Sequence, residues 1–70
     1  MTPLIYADEG REQEIRKISG SQAVRQHLAD LGFVVGDMIT VVSRIGGNLI
    51  VKVKESRVAI SREMAEKIYV

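Results

Sequence analysis

The sequence predicts a mainly β fold, a small and strongly bent barrel of five to six short strands. One α-helix is expected between strands 2 and 3, and a short helical turn before the last strand. Two observations support this prediction. Short segments of alternating or β-branched apolar residues recur along the chain, which is typical of half-buried strands. Only one segment, containing Val24, Leu28 and Leu31, has the apolar spacing of an amphipathic helix.

The length and composition limit what can stabilise such a fold. Seventy residues predict a single domain over residues 1–70. The chain has no cysteine and one histidine, which excludes disulfides and a thiolate metal cluster. Hydrophobic residues make up 46% of the chain and aromatic residues only 4%, so we expect a core built mainly from aliphatic side chains.

The charge and the hydropathy pattern disfavour several classes of function. Ten basic and nine acidic residues give a formal net charge of +1, which does not indicate a nucleic-acid-binding protein. No apolar run is long enough to insert into or cross a membrane, and no secretion signal is recognisable at the first residues. The lack of cysteine fits a reducing compartment, so a cytoplasmic location is expected.

The first two strands are predicted from short apolar segments. Leu4–Ile5–Tyr6 follows Pro3 and is predicted to form an edge strand. The segment 13–19 is predicted to form the second strand. Because Ile15 and Ile18 are three residues apart, strict alternation would place them on opposite faces, and we therefore expect a β-bulge between them.

The helix has a start signal and a stop signal. The segment Ser19–Gly20–Ser21–Gln22 opens it, and Ser19 and Gln22 have the spacing of a capping box. Gly32 follows the last apolar residue of the helical stripe, where a left-handed residue commonly ends a helix.

The two clearest strands are Met38 to Ile45 and Leu49 to Lys54, joined by a hairpin loop at Gly46–Gly47–Asn48. Alternation places one set of side chains in the core and the other set outside. The core set is Ile39, Val41, Leu49, Val51 and Val53, and the outer set in the second strand is Ile50, Lys52 and Lys54.

The last third of the chain completes the barrel. A tight turn at Glu55–Ser56–Arg57 leads into Val58–Ala59–Ile60, and Ser61 is predicted to cap one helical turn through Ala65. Residues 68–70 form the final strand. If that strand pairs with residues 4–6 or with residues 38–45, the sheet closes and its edges are protected, as in an SH3-like barrel.

The hairpin region contains the candidate partner-binding residues. Basic residues accumulate there with only Glu55 as an acid between them, at Arg44, Lys52, Lys54, Arg57 and Arg62. On adjacent strands, the first three could form one basic face that docks to an acidic protein patch or to phosphates, or a merely solvated face. The outward apolar residues Met38, Val42 and Ile50 are either an exposed contact patch or a second layer of core. The predicted contact set is Arg44, Gly46, Gly47, Asn48, Ile50 and Lys52.

Two groups of residues were considered as metal ligands. His27 and Asp30 are three apart on the helix, but they supply only two ligands where a specific ferrous site needs more. The acidic residues Asp8, Glu9, Glu12 and Glu14 are expected to form a solvated face. The sequence therefore predicts no metal site and no cofactor, apart from weak association of Fe²⁺.

No enzymatic activity is predicted. The chain has no cysteine nucleophile and no serine in a glycine-flanked elbow. The pair Gly46–Gly47 is not followed by the Lys–Ser/Thr of a phosphate-binding loop.

The order of these motifs resembles the FeoA family of bacterial ferrous-iron uptake. The family pattern is a helix that follows a glycine and ends in Leu-x-x-Leu-Gly, then a glycine, two β-branched strands, a Val-Ala-Ile segment, an alanine and a final Ile-x-Val. The matching residues are Gly20, Leu28, Leu31, Gly32, Gly36, Ile39, Val41, Val51, Val53, Val58, Ala59, Ile60, Ala65, Ile68 and Val70. The chain departs from common family residues at His27, at Val35 and in the hairpin loop.

The resemblance implies a small cytoplasmic accessory or regulatory protein of ferrous-iron uptake. Its implied partner is the cytoplasmic G-protein domain of a FeoB-like membrane iron transporter. The family is similar in fold to the C-terminal domain of iron-dependent repressors, which motivates an alternative, a module that binds or senses divalent transition metals. The sequence does not determine the oligomeric state. It also does not determine whether the protein stimulates or inhibits the transporter.

Overall fold

The computed structural model describes residues 1–70 and contains six β-strands, two α-helices and one 3-10 turn. The number of strands and the position of the main helix are as predicted. Neither helix has the length and apolar character that a membrane crossing requires. In chain order the elements are the 3-10 turn Leu4–Tyr6, β1 Glu12–Glu14, β2 Lys17–Ile18, α1 Gln22–Asp30, β3 Met38–Ile45, β4 Asn48–Val53, β5 Ser56–Ile60, α2 Arg62–Ala65 and β6 Ile68–Tyr69.

The strands form two antiparallel sheets instead of one closed sheet. The larger sheet has four strands in the order β1-β3-β4-β5, and the smaller sheet pairs β2 with β6. The last strand, β6, pairs neither with residues 4–6 nor with β3, the two pairings that would have closed the sheet. Tyr69 lies opposite Lys17, whose Nζ is 5.8 Å from the centre of the Tyr69 ring. On its other side β6 meets only the start of the chain, at the bridge between Pro3 and Tyr69.

The segment Leu4–Tyr6 is a 3-10 turn. The prediction of an edge strand there was wrong. The amide of Tyr6 donates to the carbonyl oxygen of Pro3, and the amide of Ala7 to that of Leu4, both at 3.0 Å. Residues three apart lie on the same side of a 3-10 turn. Leu4 and Ala7 are therefore both buried, while Tyr6 is 71% exposed.

The predicted strand over residues 13–19 is divided between the two sheets. β1 pairs with β3 and β2 pairs with β6, and the chain changes neighbour at Ile15 and Arg16. The Ile15 amide donates to Asp37 O at 2.9 Å, whereas the Arg16 amide donates to Tyr69 O at 2.8 Å. This change of partner, and not the expected bulge, accounts for the odd spacing of Ile15 and Ile18.

The helix α1 begins at a different serine from the one predicted. Ser21 is the N-cap, and its hydroxyl oxygen accepts from the Val24 amide at 3.2 Å. Ser19 instead donates its hydroxyl to Lys67 O at 3.3 Å, and so connects the helix entrance to the end of α2.

The end of α1 is as predicted. Gly32 has φ +103. Its amide donates to Ala29 O at 2.9 Å, and the Phe33 amide donates to Leu28 O at 3.0 Å. These two bonds define a Schellman motif. The motif turns the chain so that Phe33 joins Leu28 in the core.

The core lies between the inner face of the four-stranded sheet, α1, the 3-10 turn and the smaller sheet. No polar side chain is buried in it. Val24 and Leu31, which share the apolar stripe of α1 with Leu28, are only partly buried and pack against the margin of the core. The buried residues are Leu4, Ala7, Ile15, Leu28, Phe33, Ile39, Val41, Leu49, Val51, Val53, Ile60, Ala65, Ile68 and Val70.

We expect Leu28→Ala to lower the free energy of unfolding by about 2–5 kcal/mol, because it leaves a cavity at a fully buried position of α1. Urea unfolding followed by circular dichroism measures the change. The matched control is His27→Ala, since His27 is the preceding residue and is exposed. Equal stability of the two variants would contradict the assignment of Leu28 to the core.

Candidate protein-docking site

The β3–β4 hairpin, which contains the predicted contact residues, has a two-residue loop. Ile45 pairs with Asn48, so Asn48 belongs to β4 and the loop consists of Gly46 and Gly47 alone. Their φ angles are +55 and +88, as a type I′ turn requires at both central positions. All three predicted tip residues are exposed.

A β-bulge in β3 determines which side chains share a face. Val41 lies opposite Val51, but Ser43 lies opposite Ile50, so Val42 is an extra residue with no partner of its own. The extra residue reverses the alternation in the second half of β3. Arg44 consequently lies opposite Leu49, which is 1% exposed, on the inner face of the sheet.

Arg44 connects the hairpin to the start of the chain. Its Nη2 donates to Ile5 O at 3.1 Å and also to Ala7 O, and its Nη1 is 4.0 Å from Glu9 Oε2. The side chain is 34% exposed. The guanidinium group therefore caps the carbonyl groups of the 3-10 turn.

Lys54 also departs from the predicted basic face. It lies in the two-residue turn between β4 and β5, with φ +56, and its Nζ is 3.3 Å from Asp37 Oδ2. The structure thus places Arg44, Lys52 and Lys54 in three different environments, so they do not form one basic face. Of the three, only Lys52 lies on a strand with its side chain on the outside of the sheet.

We use the term outer face for the side of the four-stranded sheet turned away from the core. Lys52 lies on it between Thr40 and Arg57, its direct neighbours across the sheet. Lys52 and Arg57 are both exposed, and neither takes part in an ion pair. Like charges directly opposite each other repel, so this pair of cations is unfavourable in the isolated protein.

Apolar side chains lie on the same face, toward the hairpin tip and on β3. Ile50 lies between Ser43 and Ala59 on the outer face. Val42 and Ile50 are partly buried, but neither belongs to the core or to the residues packed against it. Met38 is 44% exposed. The outer face therefore combines unpaired positive charge on β4 and β5 with accessible apolar surface, and it carries the exposed Glu12 and Glu14 at its opposite edge, on β1.

A groove of about 270 Å³ lies at the other side of the hairpin tip. Its arginines have protein partners already, since Arg62 Nε is 3.3 Å from Glu66 Oε1 and Arg44 holds the 3-10 turn. The sequence pattern missed this groove because it predicted a strand where the 3-10 turn forms. The lining residues are Ile5, Tyr6, Arg44, Gly47, Leu49 and Arg62.

The residues considered as metal ligands do not converge. His27 is exposed on α1, and Asp30 Oδ1 accepts from Gln26 Nε2 at 2.9 Å. Glu12 and Glu14 lie on β1, while Glu9 faces Arg44. Nowhere do three or more His, Asp or Glu side chains come together in a way that could hold a metal ion.

Comparison with known proteins gives a family for this arrangement. The model of the FeoA domain family matches residues 2–70. A curated relative, the "Putative Fe(2+) transport protein A" of Methanocaldococcus jannaschii, is 36% identical over 70 residues, which is all of this chain and 85% of the relative.

Solved structures show the same fold. The crystal structure of an iron uptake regulatory protein, FeoA, is 28% identical and superimposes with a TM-score of 0.87, over 96% of this chain and 89% of that one. Stenotrophomonas maltophilia FeoA, solved with zinc and described as a prokaryotic SH3 domain protein, is 24% identical, with a TM-score of 0.79 over 94% and 85% of the two chains. The fold is thus SH3-like, as predicted, although its two sheets do not close into one barrel.

We expect Arg44→Met to lower the free energy of unfolding by about 1–3 kcal/mol, because the carbonyl groups of Ile5 and Ala7 lose a charged donor. Chemical unfolding measures the stability, and hydrogen exchange at the amides of the 3-10 turn reports its local opening. Lys52→Met is the matched control on the outer face and should change stability by less than about 0.5 kcal/mol. If the two variants were equally stable, Arg44 would not be a structural residue.

Proposed function

This chain belongs to the FeoA family, and we propose that it is a small cytoplasmic accessory protein of ferrous-iron uptake. In this proposal it acts by contact with the cytoplasmic G-protein domain of a FeoB-like membrane transporter. In this proposal ferrous iron is the cargo of that transporter, and this chain associates with it only weakly, without a specific iron site. The family is one of small accessory transport proteins, and the curated relative's name refers to Fe(2+) transport.

One observation supports protein contact most directly, and it is the pair of exposed cations at Lys52 and Arg57 on the outer face. An acidic patch on a partner would neutralise both charges and remove their mutual repulsion. The neighbouring Ile50 and Met38 supply apolar area that such a contact would bury.

The structure modifies the roles within the predicted contact set. Ile50 and Lys52 lie on the outer face and remain docking residues of the proposal. Arg44 is assigned to the support of the 3-10 turn instead. The exposed tip residues Gly46, Gly47 and Asn48 adjoin Ile50 along β4 and extend the contact toward the end of the hairpin.

An accessory protein of this kind acts through differences in affinity. A bound protein shifts a conformational or nucleotide equilibrium of its partner only if it binds one state more tightly than the other. The proposal therefore requires that this chain bind the G-protein domain with different affinities in the GDP-bound state and in the state with a GTP analogue.

We expect Lys52→Glu to weaken binding to the G-protein domain of the cognate transporter by about tenfold or more, because it places a negative charge against an acidic surface. Isothermal titration calorimetry against the isolated domain, with GDP and with a GTP analogue, measures the affinity. The variant should be at least as stable as the wild type, since Lys52 is exposed and the substitution replaces the repulsion from Arg57 by an attraction.

The matched control is Arg25→Glu, which makes the same change of sign on the exposed surface of α1. This control should bind as the wild type does. Equal binding by Lys52→Glu would remove the outer face from the proposal, and no binding of the wild type in either nucleotide state would refute the partnership itself.

A further inference from the structure

The edge of β5 is an unpaired sheet edge next to the outer face. We define the β5 edge as the side of Ser56–Ile60 that is turned away from β4. We propose that this edge binds an extended acidic segment of the partner, which adds to the four-stranded sheet as a fifth strand. The inference rests on the proposed function for the identity of the partner, whereas the edge and its chemistry are features of this chain alone.

The length of the β4–β5 loop determines where the backbone groups of β5 point. The loop contains only Lys54 and Glu55, and Val53 and Ser56 form the closing pair. The closing pair of a two-residue hairpin loop is hydrogen bonded, and hydrogen-bonded and non-hydrogen-bonded pairs then alternate along an antiparallel ladder. The residues of β5 whose amide and carbonyl groups form hydrogen bonds with β4 are consequently Ser56, Val58 and Ile60.

Arg57 and Ala59 occupy the alternate positions, so each directs one N–H and one C=O group away from the sheet. Both residues are exposed. Neither takes part in any side-chain hydrogen bond, nor in any main-chain bond outside the helices and strand ladders. The edge therefore offers two donors and two acceptors at the spacing that an added strand requires.

The other edges are shorter or already occupied. β1 is only three residues long and carries two glutamates, which protect its outer edge by charge. The far side of β6 is covered where Thr2 and Val70 exchange two main-chain bonds of 2.8 Å. β5 is thus the longest strand that lacks a partner along the whole of one side.

The positive charges at Arg57 and Lys52 indicate which class of segment the β5 edge binds. Arg57 already faces Lys52 across the ladder, and neither takes part in an ion pair. A carboxylate on an added strand, directly opposite Arg57, would be the direct cross-strand neighbour of Arg57, with Lys52 one strand further away in the same row. The position opposite Ala59 continues the row that contains Ile50, so an apolar side chain fits there. The occupant is therefore a segment with an acidic residue and an apolar residue two positions apart.

The same charges disfavour a second copy of this chain as the occupant. Antiparallel self-pairing centred on Val58 places Arg57 opposite Ala59 of the second copy, so that the outer face gains two more cations and no carboxylate. A shift of the pairing that centres it on Arg57 places the two arginines directly opposite each other. Arg57 therefore acts against self-pairing and in favour of an acidic strand.

A peptide titration tests the edge without the transporter. The probe is a short capped peptide that has a glutamate and a valine two positions apart, separated and flanked by threonine, and the control peptide has lysine in place of glutamate. With ¹⁵N-labelled protein, we expect saturable shifts and slowed hydrogen exchange at the amides of Arg57 and Ala59 with the glutamate peptide only. Absence of saturable shifts there, or an equal response to the lysine peptide, would overturn the proposal.

A second experiment uses the G-protein domain as the partner. Ala59→Pro removes the outward N–H group but no bond to β4, and proline is tolerated on a sheet edge. We expect it to weaken binding by about tenfold or more, because a strand contact relies on main-chain bonds. The control Ala59→Ser keeps the N–H group and should bind as the wild type does. Thermal unfolding shows whether both variants fold.

Hydrogen exchange of the wild-type complex gives a result that needs no variant. Protection of the Arg57 and Ala59 amides in the complex supports strand addition. Unchanged exchange at these amides in a stable complex overturns strand addition and leaves the proposed function intact.

Two further outcomes separate the edge from its partner. If the glutamate peptide binds the β5 edge but the G-protein domain does not, the proposed partnership is refuted and the binding of acidic strands by the edge is supported. Protection that increases with protein concentration alone would show a second copy as the occupant, and would overturn the acidic-segment proposal.

Discussion

The extra residue at Val42 in β3 is the constraint on which the arrangement of this surface depends. Before the bulge, β3 packs Ile39 and Val41 against the core. Beyond the bulge, the alternation of side chains between the two faces of the sheet is reversed. Arg44 is thereby turned toward the carbonyl groups of the 3-10 turn, where it secures the start of the chain. Lys52 remains on the opposite side, with Arg57 as its charged neighbour. A single inserted residue thus separates a structural arginine from the basic residues that stay available for a partner.

The sequence predicted the fold class and most of its elements because the signals involved are local. The glycine-rich loop, the Gly32 helix end and the Ser61 cap each depend on neighbouring residues only, and the structure contains all three. The 3-10 turn and the division of strand 13–19 depend on which distant segment supplies the hydrogen-bond partner. Apolar spacing contains no such information. It also could not distinguish Ser19 from Ser21 as the cap, since both precede the helix and both carry a hydroxyl group.

The docking site was predictable only in part, because part of it depends on which distant residues lie opposite each other across the sheet. Alternation within β4 correctly places Ile50 and Lys52 on one side, because no bulge interrupts that strand. The pairing of Lys52 with Arg57 depends on the register of β4 and β5, and that register is set by a turn at Lys54–Glu55. The sequence suggested a turn one residue later, which left Arg57 outside the strand. The position of Arg57 opposite Lys52 therefore could not be predicted without the length of the β4–β5 loop.

The free side of β5 has a consequence for the solubility of the protein. A five-residue strand in which two residues have free main-chain groups on one side is a template for stacking into intermolecular sheets. In this chain the electrostatic repulsion between copies, concentrated at Lys52 and Arg57, opposes such stacking. Dissolved salt screens repulsion between exposed charges over roughly 8 Å at physiological ionic strength and over shorter distances in concentrated salt. The ionic composition of its surroundings thus becomes part of what keeps this protein dispersed.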